Sequence, residues 1–317
     1  MIIRSGHLTL GVTGFVSFIA FTFILSSAQA QTTTTGGGGG SSPTLEVPVQ
    51  SPAAQPSTTT STGTNTISAP FKINAPQIGD FKLRAGVKTT DTSGRLYDLD
   101  NTKGTRLRQK HEYFLGFVHA TGWGAYAQGV TSGTTFAEAN SNANTLGGGD
   151  ASLTILHPDY YKGTSMTISG QFRRYLAVTD RSKDRGQKQW AYYLYTTYKL
   201  PAQWGIWNQA TPRYFEQSYY KTTDTTLYFE DITTLTKAIS THWAAGVGQW
   251  TQVEGHSETP TGVSVDAQIF ARYMPIANIW IEPRIVAPVY IKNAVFDQSR
   301  NVSLQGLKAE LYAQMTL

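Results

Sequence analysis

The sequence predicts an all-β chain: a closed antiparallel transmembrane β-barrel of about 12 strands, with a disordered N-terminal tail. Three observations point there. The final stretch places Leu307, Ala309, Leu311, Ala313, Met315 and Leu317 at alternate positions, with Lys308, Glu310, Tyr312, Gln314 and Thr316 between them. A period of two over eleven residues is a strand with one apolar and one wet face, not one face of a helix. The same alternation recurs about a dozen times between residues 78 and 317, behind an export-signal pattern. Lipid on the apolar side and water on the other satisfies both faces of such strands.

Residues 1–30 read as a signal peptide. Arg4 and His7 form its charged start, Leu8 to Leu25 its apolar stretch, and Ala28-Gln29-Ala30 its cleavage site. The apolar stretch is longer than usual, so an uncleaved anchor is the alternative. The chain has no Cys, which excludes a lipoprotein anchor and a disulfide framework. Residues 31–75 form a low-complexity Thr/Ser/Gly/Pro linker: 28 of the 40 residues from Gln31 to Pro70 are of those four types. Such a segment buries too little apolar surface to offset its ordering entropy. It reads as a passive spacer, with a wall tether or a luminal plug as the other uses.

From residue 76 to 317 the composition is that of a barrel. No run there is long enough for a membrane helix, yet the whole chain carries 7 Trp, 17 Tyr and 14 Phe beside only 15% charged residues. The net charge of +5 is modest and scattered, which excludes a nucleic-acid partner.

The strands follow in order. The first covers Ile78 to Lys88, and a polar loop spans 89–109. The second, near Lys110 to Ala120, meets a tight Thr121-Gly122-Trp123-Gly124 turn, and the third runs to about Val130. After a loop at 131–149 come Asp150 to Leu156, a turn at His157-Pro158-Asp159, and Thr164 to Val178. A charged loop at 179–187 leads to Lys188 to Lys199, which turns at Leu200-Pro201. Gly205 to Phe215, Thr225 to Lys237, Thr241 to Glu254 and Gly262 to Tyr273 continue the meander. The eleventh strand reaches Tyr290, and a loop at 291–302 precedes the last. Connections run long, short, long, short, as in an outer-membrane barrel with both termini in the periplasm. A soluble β-sandwich would also space its turns this way, but these strands are long and carry aromatics at their apolar ends. The chain resembles bacterial outer-membrane porin-like proteins of about twelve strands over residues 76–317. It departs at its end, where Leu317 stands in place of the usual terminal aromatic.

Alternation assigns the faces. Phe81, Leu83, Ala85 and Val87 look outward, which sends Lys82, Arg84 and Lys88 inward. A Lys or Arg facing lipid at mid-bilayer costs ~2–4 kcal/mol, which excludes the opposite register. By the same logic Arg173, Asp266, Arg272, Glu282, Arg284, Lys308 and Glu310 face inward, with Glu230 joining them. Arg174 falls on the lipid face, near the headgroups. The inward set has two uses: pairing across the lumen to hold the wall, or lining a water-filled path whose positive field favours anions. Trp123, Trp190, Tyr192, Tyr198, Trp204, Trp207, Trp243 and Tyr273 suit interfacial girdles.

The function expected is an outer-membrane channel passing small, anionic solutes through a narrow charged lumen. Its partners would be outer-membrane lipid and small solutes or ions. A non-conducting structural or adhesive barrel is the first alternative, an outer-membrane hydrolase the second. No catalytic, cofactor or metal residue is assigned. His111, His119, His157, His242 and His256 lie in no nucleophile-elbow or metal-ligand pattern, and Asp98-Leu99-Asp100-Asn101 lacks the remaining ligands of a cation loop.

Overall fold

A computed structural model describes residues 71–95, 105–136, 145–179, 183, 186–217, 225–256, 261–293, 298–301 and 306–317. The expected signal peptide and the expected linker up to residue 70 lie outside the described residues, as does the Asp98–Asn101 segment. The strands that close the barrel are β1 (Phe81–Arg95), β2 (Thr105–His119), β3 (Gly124–Phe136), β4 (Ala151–Leu156), β5 (Met166–Leu176) and β6 (Lys188–Lys199). They continue as β7 (Trp204–Glu216), β8 (Thr225–Ala238), β9 (Trp243–His256), β10 (Gly262–Ile276), β11 (Ile279–Asn293) and β12 (Lys308–Thr316). Each pairs antiparallel with its neighbours in the chain, and β12 pairs with β1. The sheet therefore closes into a twelve-stranded barrel with no free edge.

Four short pieces extend these strands. Gln77–Ile78 pairs with β1, Thr145–Gly148 carries the line of β4 onward along β3, Tyr161–Lys162 pairs with β5, and Gln298–Asn301 pairs with β11. The loops at 89–109, 131–149 and 291–302 are consequently narrower than the sequence suggests, because strands run into them from both sides. Beyond the apolar band both faces of a strand are wet. Alternation then fades from the sequence while backbone pairing goes on.

Both described termini meet at the short-turn end. The Ala277 amide donates to the Phe71 carbonyl (2.7 Å) and the Leu317 amide to that of Ala85 (2.8 Å). Asn278 ties them together: its side-chain oxygen accepts from the Ile73 amide (2.6 Å) and its nitrogen donates to the carbonyls of Ile73 (2.9 Å) and Thr316 (2.7 Å). In the turn after β2, Gly122 takes φ +96, open to glycine without strain.

The connection after His157 is longer than a tight turn. The Tyr160 amide donates to the Ile168 carbonyl and that of Gly163 to Met166, both at 2.8 Å, so residues 157–165 fold back beside β5. The His157 ring stacks on Tyr160 at 4.4 Å and meets Trp123 edge-on at 4.5 Å.

Girdle aromatics occupy both rims. Trp123, Trp204, Trp243 and Tyr273 are exposed outside the short-turn end, and Tyr214 near the other. Arg174 lies on the outer face as expected, its guanidinium 4.5 Å over the Trp190 ring. Trp207 departs from the girdle expectation. It is 0% exposed and pairs in register with Thr197 and Thr234, on the interior face. Trp204 and Trp207 are three apart, an odd number, so strand parity sends them to opposite faces.

Candidate functional site

The barrel interior holds the charged side chains. Register places Lys82, Arg84 and Lys88 of β1 opposite Val118, Gly116 and Glu112 of β2, all on the inner face. Arg173 of β5 faces Thr154 and Ala191, and Asp266 and Arg272 of β10 face Trp250 and Ala244. Glu282 and Arg284 of β11 lie opposite Tyr312 and Glu310 of β12, and Lys308 opposite Val286. All ten expected residues thus share the inner face, but the register sorts them into two environments.

On the β10–β11 side two arginines share one carboxylate. Glu282 accepts from the Arg272 Nε and from the Arg284 Nε, both at 2.6 Å, and its side chain is 2% exposed. The Arg272 guanidinium also lies 4.5 Å over Trp280, and that of Arg284 4.7 Å over Tyr312. A buried carboxylate between two guanidiniums, each also resting on an aromatic face, is a closed electrostatic unit. Glu230 does similar work on β8, accepting from the Gln209 amide (2.9 Å) and the Arg213 Nη2 (3.4 Å).

On the β1–β6 side two arginines sit among tyrosines instead. Arg173 donates to the Thr154 hydroxyl (3.0 Å), the Tyr126 hydroxyl (3.0 Å) and the Tyr193 hydroxyl (3.3 Å). The Tyr126 hydroxyl donates to Gln171 Oε1 (3.1 Å), and the Gln171 nitrogen donates onward to the Tyr195 hydroxyl (2.8 Å). Arg84 lies 4.5 Å over the Tyr126 ring and 5.6 Å over Phe114. It is 4% exposed, and its Nε and Nη1 meet no acceptor among the described residues. Neither Arg84 nor Arg173 forms an ion pair with a described carboxylate. Sequence reasoning missed this tyrosine cradle. Tyr175, Tyr193 and Tyr195 do alternate in parity with Arg173, but only cross-strand pairing brings the rings around it.

The strand count, closure, wet interior and aromatic rims settle the architecture. The fold is that of a bacterial outer-membrane β-barrel. Solved structures agree in fold: an outer-membrane channel from Pseudomonas putida F1 (COG4313) superposes with TM-score 0.52 at 8% identity, over 80% of this chain and 100% of that one. The porin NanC matches with TM-score 0.45 at 7% identity, over 74% and 100%, and the KdgM porin in complex with oligogalacturonate with 0.41 at 7%, over 74% and 99%. No protein-family model matches the chain and no curated protein does.

In an outer-membrane barrel the short turns and termini face the periplasm, so the opposite end of this barrel, beyond Phe136 of β3, is expected to face the cell exterior. An epitope inserted there should be labelled on intact cells. One placed at Gly38 should require permeabilisation first. Labelling in the opposite pattern would invert the orientation.

Proposed function

We propose that the barrel is a narrow channel that passes small anionic solutes. One observation carries the proposal: Arg84 and Arg173 hold their charge inside the barrel with no carboxylate partner among the described residues, while Arg272 and Arg284 share one. Burying an unpaired cation is costly. An anion in the lumen lowers that cost, and the Tyr195 hydroxyl, which accepts from Gln171, has its own proton to offer such an anion. Glu112 lies near by, where it pairs with Lys110 (2.9 Å) and accepts from Gln128 (2.9 Å). The superposed channel from Pseudomonas putida F1 supports the reading at the level of fold.

The second reading, a non-conducting structural barrel, has its own supporting observation. Trp207, Arg272, Glu282, Thr154 and Thr236 are each at most 1% exposed, so side chains fill much of the interior at their levels. A filled lumen conducts only where water remains continuous. Purified protein in planar bilayers separates the two readings: the channel gives discrete conductance steps, and under a salt gradient its reversal potential has the sign of an anion-selective pore. A silent bilayer, from protein whose folded state is verified, selects the structural barrel.

We also read the barrel as non-enzymatic. His119, His157 and His242 spend their Nδ1 atoms on Thr121 (2.8 Å), the Pro158 carbonyl (2.6 Å) and the Met274 carbonyl (2.8 Å), in periplasmic turns. His111 and Glu112 are strand neighbours on opposite faces. Mixed micelles of phospholipid should release no fatty acid in its presence.

A further inference from the structure

We propose that the outer wall spanning β6 to β9 is a contact surface for a second copy of this chain within the membrane. Two neighbouring rows of outward side chains break the apolar band there. One runs Thr196, Asn208, Thr233, Gln249 across β6, β7, β8 and β9, and the next runs Ala210, Asp231, Thr251. Apolar rows bound them on both sides: Ile206, Leu235, Val247 and Ile269 below, Pro212, Phe229, Val253 and Val263 above. The polar side chains are locked together. Asn208 Nδ2 donates to Asp231 Oδ2 and to the Thr233 hydroxyl, both at 2.8 Å, and that hydroxyl donates to Asp231 Oδ1 at 3.2 Å.

Depth makes this placement unusual. Trp204 and Lys237 mark the periplasmic rim, with the Lys237 ammonium 5.5 Å over the Trp204 ring, and Tyr214 and Leu227 pair near the other rim. Asp231 is six residues up the strand from Lys237, which in a tilted strand is roughly 15 Å, the middle of a band about 25 Å tall. The opposite wall at comparable depth is uniformly apolar, through Ala85, Leu115, Ala127 and Leu153.

Lipid tails at that depth offer nothing to an aspartate, and an ionisable side chain inside a membrane marks a functional contact. A second copy fits the chemistry. The acceptor Asp231 lies at the centre of the patch, with the Thr196 hydroxyl on β6 and the Gln249 side-chain amide on β9 as donors to either side of it. A two-fold axis through the patch brings donors of each copy to the acceptor of the other, the self-complementarity an isologous interface requires. Small residues, Thr196, Ala210, Thr251 and Ala267, keep the wall low enough for two backbones to approach.

The absence of Cys from the whole chain makes the test direct. Thr233→Cys, oxidised in native outer membranes, should give a disulfide-linked dimer at least several-fold more abundant than Leu153→Cys on the far wall. Equal yields at the two sites, no dimer, or an adduct of another mass would overturn the proposal. A triple variant, Asn208→Leu with Asp231→Leu and Thr233→Val, should run as a folded monomer where the wild type runs as a dimer. A dimer that persists in a folded triple variant would also overturn it, and should that variant fail to fold, the cysteine comparison decides alone.

Discussion

Replacing Glu282 by Ala should cost the barrel about 3–5 kcal/mol of folding stability. The carboxylate bridges Arg272 and Arg284, and the three side chains are 2%, 1% and 9% exposed. Removing it leaves two buried cations facing each other without a counter-charge, which is the expensive way to break such a unit. The cost lies in the orphaned charges rather than in the strength of the pair. Converting all three together (Arg272→Met, Glu282→Leu, Arg284→Met) should therefore come out near neutral, since no charge is stranded. Urea titration of the barrel folded into lipid vesicles measures both variants. The rim pair Lys188–Glu216, half exposed at 3.4 Å, is the comparison: Glu216→Gln should move stability by no more than about 1 kcal/mol. A Glu282→Ala loss as small as the rim value would mean that water already screens the triad.

The meander was legible because lipid and water impose opposite demands on alternate residues, so each crossing strand writes its faces into the sequence. Strand β6, Lys188–Lys199, has the bounds expected for it, fixed by the charged segment before it and by Leu200-Pro201 after it. The strand tips were not legible, for β1 continues through Thr89, Thr90, Asp91 and Thr92, where neither face is apolar. In strand β9 the glycines carry no face label. Its register supplies one: a Cβ on Gly246 would lie 2.5 Å from the Phe270 ring, so that ring fills the space glycine leaves on the inner wall.

Inner-face residues could be read from parity, but their partners could not. Arg173 and Arg272 look alike in the sequence. One meets tyrosines and the other a carboxylate only because of which strands lie beside them. The polar rows of the outer wall did leave a signal: with Glu230 facing inward, Asp231 next to it must face out. An isolated acid on an otherwise apolar strand face is easily passed over. The row becomes visible when Asn208 and Thr233 align beside it across two strands.

Neutralising the tyrosine cradle should change what the lumen admits. Arg84→Gln with Arg173→Gln keeps polar, hydrogen-bonding side chains on the inner wall while removing the two charges that no described carboxylate balances. A unit charge at about 4 Å biases an ion by about 1 kcal/mol even in water, and by more where the wall displaces it. Loss of both should lower the anion-to-cation permeability ratio several-fold in dilute salt. The gap between wild type and variant should narrow as salt rises, because the Debye length falls from ~10 Å at 0.1 M to ~3 Å at 1 M. Reversal potentials at two salt concentrations read both effects. Lys82→Gln added to Arg84→Gln should act in the same direction and more weakly, because Lys82 sits opposite Val118, closer to the periplasmic mouth than the cradle. An unchanged ratio in the Arg84/Arg173 variant would place the ion path away from the cradle. A cation-selective wild type would reject the anion assignment, and the tyrosines would then be packing around Arg173 rather than donors aimed at a solute.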